Sequence, residues 1–313
     1  MNGERPGEAE GDASGGLEGI TPTGLAVGEN LDPLVESARA IGVDSGATLV
    51  KICVQDQARG LHFTTWYAPA PDRVLALLDQ LSPTRIGLTG CGATAIAPRL
   101  DREVATPVEF DAWGQGANSL LAEMGRDMRH PYLLVSIGTG TSILRVEGDR
   151  VDRTGGTALG GGTALGLGLA LTGCKSHHEF TQLAARGRRG GVDLLISDIY
   201  DQSEGPLAAE ATAASFGKLA RGLGGSQDPE SKPRPEDLAA SIMGLVAENI
   251  ALICNAHARI TDVKTVVFGG SSLADNPRLV ETVSLLTTLH GFEAVVLPRS
   301  GHAGALGAML LSR

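Results

Sequence analysis

The sequence predicts an α/β protein built from two related units. Apolar, strand-like runs alternate with segments of helical period through both halves of the chain. Two strand–turn–strand units, residues 41–54 (IGVDSGATLVKICV) and 133–146 (LLVSIGTGTSILRV), carry turns of small and hydroxyl residues. Glycine is high, at 43 of 313 residues, and clusters where strands end, as ligand-facing loops require.

In the first unit, Ile41 and Val43 belong to one short strand, and Leu49, Val50, Ile52, Cys53 and Val54 to the next. The turn between them is Asp44-Ser45-Gly46-Ala47. Small residues there let successive backbone N–H groups form a concavity for an anion. Thr48 adds a hydroxyl, and Lys51 a positive charge able to reach phosphate. Asp44 would repel bare phosphate but suits a Mg²⁺ ion bridging phosphates. Taken alone, the stretch is equally an ordinary hairpin with a polar tip. The second copy, with its Gly138-Thr139-Gly140-Thr141-Ser142 turn, favours a ligand gripped from two sides.

The remaining elements follow in order. Residues 1–39 are rich in Gly and Glu without sustained periodicity; they predict a disordered acidic extension, with a short helix over 33–40. Strands are predicted over 60–67 and 85–89, a helix over 72–81, and a strand or turn over 107–110 leading into a helix over 111–123. The second unit opens with a strand over 132–137. A Gly-rich turn over 155–163 then runs into an apolar helix over 164–171, whose first amides would face an anion. Helices are predicted over 178–186 and 192–200, and an exposed loop over 222–235. The longest helical pattern covers 235–259. A strand over 264–268, a helix over 277–289, a strand over 294–297 and a helix over 303–311 close the series.

Composition bounds the function. The length is where one core divides in two. Hydrophobic content of 42% and charged content of 20% are ordinary for a soluble globular protein. The net charge of −10, with no basic stripe, argues against a nucleic-acid partner. Cys53, Cys91, Cys174 and Cys254 have no CxxC spacing and read as reduced, small hydrophobes in a cytoplasmic protein. No apolar run approaches the length of about 18 residues that marks a membrane span, and no secretory signal pattern opens the chain.

DSGATLVK with Lys51, then Gly138-Thr139-Gly140, then Gly269-Gly270-Ser271 resemble the phosphate-1, phosphate-2 and adenosine motifs of the sugar-kinase/heat-shock-ATPase/actin superfamily. With LTGCGA (88–93), VEFDAWGQG (108–116), the Gly-rich run 153–174, TAASFG (212–217) and GHAGALGAML (301–310), the resemblance narrows to type II pantothenate kinases and covers residues 41–312. It implies two actin-like lobes of mixed sheet with flanking helices, 40–130 and 131–313, and a nucleotide in the cleft between them. It implies ATP and Mg²⁺ as cofactors, pantothenate as substrate, phosphorylation of its hydroxyl on the way to coenzyme A, and a homodimer. It admits an acyl-coenzyme A feedback ligand.

By resemblance, Glu109 is the catalytic base and also touches substrate. Arg153 pairs with the pantothenate carboxylate, and Thr139 and Ser142 are hydroxyls on the substrate side. The nucleotide contacts are Asp44, Ser45, Gly46, Ala47, Thr48, Leu49, Val50, Lys51, Thr139, Gly161, Gly162, Thr163, Ala164, Leu165 and Ser271, with Asp44 toward the metal. Ala47 stands where the family has a second glycine, and His177 or His178 where it often has an aromatic residue near adenine.

Each residue has a plainer reading. Glu109 is also a first-turn carboxylate favoured by the helix dipole. Arg153 is also a salt-bridge partner, the Gly160–Gly162 triplet a flexible link, and His302 a turn histidine. The 235–259 helix reads as core plus dimer face. Two other functions stay open: another kinase of the superfamily, such as an amino-sugar kinase, and a nucleotide-binding paralogue without activity.

Overall fold

The computed structural model of the chain describes residues 37–58, 60–126, 128–200, 208–221 and 232–312. The strands of the first sheet are β1 Ala38–Ser45, β2 Leu49–Asp56, β3 Leu61–Tyr67 and β4 Arg85–Thr89, in the order β3-β2-β1-β4. β1 pairs antiparallel with β2 and parallel with β4. Helix α1, Pro71–Leu81, makes the crossover that a parallel pair requires. It starts on Pro71, buries Val74, Leu78 and Leu81 as one stripe, and stops where Ser82 turns left-handed. The short α2, Ala93–Ile96, and then α3, Glu109–Glu123, follow.

The second sheet contains β5 Tyr132–Ile137, β6 Thr141–Glu147 and β7 Arg150–Thr157. Outside it run α4 Gly161–Thr172 and α5 His177–Arg186, then a small ribbon of β8 Leu194–Leu195 and β9 Thr212–Ala214, and the short α6 Gly217–Ala220. Helix α7, Pro235–Ile260, leads into β10 Thr265–Gly269, α8 Pro277–Leu289, β11 Glu293–Val296 and α9 Ala303–Leu310. The sheet order is β11-β10-β5-β6-β7, with β10 parallel to both neighbours.

Helices α3 and α9 lie between the sheets. Trp113, Ala117, Leu120 and Leu121 of α3 join Ala305, Leu306 and Met309 of α9 in one core with Ala40 and Cys53 of the first sheet and Leu134, Leu144 and Val267 of the second. The close approach of α9 needs glycine beneath it. A Cβ on Gly42 would sit 1.9 Å from the Ala305 carbonyl oxygen, and one on Gly87 1.9 Å from that of Ala308. Thus a helix late in the sequence completes the sheet that opens it.

Several expectations need correction. Ala38–Ala40, predicted as helix end and extension, belong to β1, paired on one side with β2 and on the other with β4. The rest of the extension, residues 1–36, lies outside the described residues, as do 222–231 of the predicted loop. The helix expected over 192–200 is absent: Leu194–Leu195 pair with β9, and Ile196–Asp198 form a single 3₁₀ turn. Buried Asp193 receives Arg189 Nε (2.8 Å) and the Phe216 amide (2.8 Å), and these bonds replace helical ones. β7 was not expected. Its Arg150, Asp152 and Arg153 lack apolar alternation because it is an edge strand beside open space, and it absorbs Gly155–Thr157 of the predicted turn.

Helix α7 is, by length and composition, apolar enough to cross a membrane, contrary to the sequence expectation. In the fold, 61% of its most apolar window is buried, and its inner face packs on α4, α5 and α8. It is therefore used here as a core helix.

His302, just before α9, is a structural histidine. Its Nε2 lies 3.1 Å from Thr65 Oγ1 and 3.3 Å from the Thr64 carbonyl oxygen. Burial pushes its pKa from 6.5 down to about 4. The unfolded chain therefore binds a proton that the folded one refuses as pH drops from 6.5 toward 4. Stability from this residue is complete above 6.5 and lost below, with a slope of at most about 1.4 kcal/mol per pH unit. A His302→Gln variant is expected to show a flatter fall of Tm between pH 7 and pH 5. An unchanged slope would refute the assignment.

Candidate active site

The site is assembled from two hairpin tips, the start of α3 and an edge strand. In the β1–β2 hairpin, Asp44 and Lys51 are direct cross-strand partners and so share a face. Lys51 Nζ lies 3.4 Å from Asp44 Oδ2, and the aspartate is 2% exposed, so each charge is compensated where water is scarce. The Gly46 amide donates to the Leu49 carbonyl (3.0 Å) and closes the turn. Ala47 stays out of the left-handed region, which explains why alanine is tolerated where the related motif has glycine.

The β5–β6 hairpin closes with the Gly138 amide on the Gly140 carbonyl, 2.9 Å. Thr48 and Thr139, one from each tip, face each other with their Oγ1 atoms 3.0 Å apart. The Gly160–Gly162 triplet backs the second tip. The amides of Gly161 and Gly162 donate to the carbonyls of Gly138 (2.8 Å) and Thr139 (3.0 Å), and Ser272 Oγ donates to Gly138 (2.9 Å). These two α4 amides are thus occupied by the protein. They shape the tip rather than wait for an anion, and the triplet is no flexible link.

Glu109 is the first residue of α3, with its carboxylate open to the cleft. Neighbouring protein and then the like charge of Asp44 raise its pKa above the usual glutamate range, while Lys51 pulls the other way. Arg153 projects from β7 with its guanidinium 5.9 Å from the Phe110 ring centre. Among the described residues it has no carboxylate partner, so the salt-bridge reading fails.

These groups line one cavity of about 520 Å³, a size that suits a small-molecule ligand. Of the residues singled out by sequence, Asp44, Gly46, Ala47, Thr48, Leu49, Lys51, Glu109, Thr139, Ser142, Arg153 and Ser271 line it. Ser45 does not; its carbonyl accepts the Gly92 amide, 2.9 Å. Val50 and Ala164 are core residues, and Leu165 packs against the core. Gly161 and Gly162 sit behind Thr139, and Thr163 Oγ1 donates to the Ala158 carbonyl, 2.8 Å. His177 starts α5 outside the lining, with Asp275 and His178 near it, and burial lowers its pKa. Gly270, of the adenosine motif, lines it too, whereas sequence reasoning passed over Trp113, Ser136, Thr157 and Ala158 as lining. Trp113 was within reach, since it follows Glu109 by one helical turn; Thr157 and Ala158 carry no local signal.

Comparison with known proteins agrees with this geometry. The Fumble family matches residues 85–311. A type II pantothenate kinase of Staphylococcus haemolyticus is 35% identical over 272 residues, 87% of this chain and 99% of the relative. A type II pantothenate kinase of Staphylococcus aureus is 33% identical over 273 residues, again 87% and 99%. In fold, the chain is similar to a ROK family glucokinase from Streptomyces griseus solved with glucose and AMPPNP (TM-score 0.56, 12% identity, 88% of this chain and 99% of that one). It is also similar to the ethanolamine utilization protein EutJ from Carboxydothermus hydrogenoformans (TM-score 0.53, 16% identity, 90% and 92%). These likenesses establish the sugar-kinase and actin-like ATPase fold, and with the sequence matches they establish that the chain belongs to the Fumble family of type II pantothenate kinases.

Proposed function

We propose that this protein transfers the γ-phosphoryl group of ATP to the hydroxyl of pantothenate, giving 4'-phosphopantothenate for coenzyme A synthesis. The observation that carries the reading is the meeting of Glu109, Lys51 and Arg153, which has no carboxylate partner among the described residues, around one cavity in a chain of this family. Glu109 takes the hydroxyl proton as the new oxygen–phosphorus bond forms and the bond to ADP breaks. Lys51 faces the charge that builds on the transferring group. The hydroxyls of Thr48, Thr139 and Ser142 orient the two reactants.

Asp44 is a hard, buried oxygen ligand at the phosphate end of the cleft, and one carboxylate with phosphate oxygens is a usual Mg²⁺ set. When bound there, the ion would neutralise phosphate charge. Lys51 Nζ, 3.4 Å from Asp44 Oδ2, stands beside the same site. The same reading makes the enzyme a cytoplasmic homodimer of two lobes divided near residue 130, with α9 returning from the second to cover the sheet of the first, and α7, where Leu252 and Ile260 remain exposed, as dimer face. It leaves acyl-coenzyme A inhibition as a separate question for assay.

A phosphate-transfer assay with pantothenate, N-acetylglucosamine and no acceptor tests the activity. Transfer to pantothenate alone is expected; preferential transfer to the amino sugar, or none, would overturn it. Lys51→Ala is expected to lower turnover and weaken nucleotide binding. Unchanged values for both would remove the first hairpin from the phosphates. Arg153 decides the acceptor. Wild type should prefer pantothenate over its carboxamide by about 2–3 kcal/mol if the charged pair is desolvated. Arg153→Ala should lose most of that preference and Arg153→Lys part of it, since an ammonium keeps the charge without the fork. If alanine at 153 leaves the preference intact, the carboxylate is read elsewhere.

A further inference from the structure

The floor of the cleft holds a polar side chain that the reading above leaves unused. Trp113 is 5% exposed and lines the cavity one turn after Glu109 on α3. Its ring spans the floor. A Cβ on Gly269 would lie 3.2 Å from its Cζ3, and one on Gly304 2.9 Å from its Nε1. An indole N–H is a donor only. Among the described residues no protein acceptor takes it, and the nitrogen is not one of the fully enclosed polar atoms.

The same point at Gly304 lies 2.8 Å from Asp44 Oδ2. The indole nitrogen and the aspartate oxygen are therefore close neighbours over the Gly304 backbone, both on the cavity lining, with the base a helical turn away. A ligand oxygen on the cavity side of this pair would accept from the N–H and be repelled by the carboxylate unless a cation lay between them. A phosphoryl oxygen with its divalent cation meets both conditions.

We propose that Trp113 is a further catalytic residue, its indole N–H donating to a non-bridging oxygen of the phosphoryl group as it passes from nucleotide to acceptor. This rests on the reading of the cleft as a phosphotransfer site. The donor is neutral, so its contribution does not vary with pH, unlike that of Glu109.

The test replaces Trp113 by 3-benzothienylalanine, which keeps the fused ring and exchanges N–H for sulfur, with Trp113→Phe as a second variant. Both are expected to lose about 10- to 100-fold in kcat, with KM for the acceptor little changed, because the bond forms in the transition state. ADP with Mg²⁺ and aluminium fluoride, a mimic of the group in flight, should bind both variants about tenfold more weakly than wild type. It should also shift the emission of Trp113. The other tryptophan, Trp66, lies under the guanidinium of Arg73 in the first sheet and serves as a constant background. A benzothienylalanine enzyme with wild-type kcat and wild-type affinity for the mimic would show the indole to be a wall, or to hold only water. If wild type phosphorylates no acceptor, the pantothenate reading fails by itself, and the mimic titration still decides Trp113.

Discussion

Glu109→Gln is expected to cut turnover with pantothenate by about 10²–10⁴-fold, the range for a positioned general base. Nucleotide affinity and Tm should stay near wild type, because the carboxylate opens on the cleft and anchors no buried network. Its environment also sets the pH profile. Burial and Asp44 raise the pKa, and a base works only when deprotonated. The rate should therefore climb with pH until that raised pKa is passed and then level off. The glutamine enzyme should lose this limb and run flat over the same range. Near-normal turnover in the variant would place the base elsewhere.

Gly307→Ala is expected to prevent stable folding. A Cβ there would lie 1.7 Å from the Ala112 carbonyl oxygen, and the reciprocal contact, Gly116 against the Ala303 carbonyl, is 1.8 Å. Both obstacles are helix backbone, so no rotamer relieves them, and α3 and α9 would have to separate. A loss above about 4–5 kcal/mol would follow, a large part of the 5–15 kcal/mol that holds an ordinary domain. Urea unfolding measures it. Gly166→Ala is the control: a Cβ there meets nothing within 4 Å, and alanine in a helix should gain roughly 0.5–1 kcal/mol. Should the Gly307 variant unfold at the wild-type midpoint, the helices do not pack at this distance.

Much of this was legible in the sequence, for physical reasons that can be named. The two hairpins were readable because each pairs β-branched strands with a small-residue turn, and Asp44 and Lys51 fall in register across the first. Helices such as Pro277–Leu289 announced themselves by period and by proline at the start. What failed depends on contacts distant in sequence. β7 is polar because one side faces the cavity, so alternation could not reveal it. The 192–200 segment has helical composition, but Arg189 and the Phe216 amide claim Asp193 from outside the window. The helix after the Gly-rich run is expected to turn its first amides to an anion, but the helix starts earlier, at Gly161, and the carbonyls of Gly138 and Thr139 occupy two of its amides. In the site, Asp44, Lys51 and Glu109 were visible by motif, whereas Thr157 and Ala158 reach the cavity only through the path of an edge strand.

The dependence of the first sheet on α9 also sets an order of events during synthesis. Gly42 and Gly87 are translated long before Ala305 and Ala308, the residues whose backbone covers them. Until then, one face of β1, β2 and β4 has no lasting cover on the ribosome. Contacts of such sequence separation form slowly, and an apolar sheet face left open meanwhile invites association with other chains. The second sheet has its own covering helices α4, α5, α7 and α8 nearer at hand. The first hairpin, made earliest, thus waits for the last helix before it takes its final form.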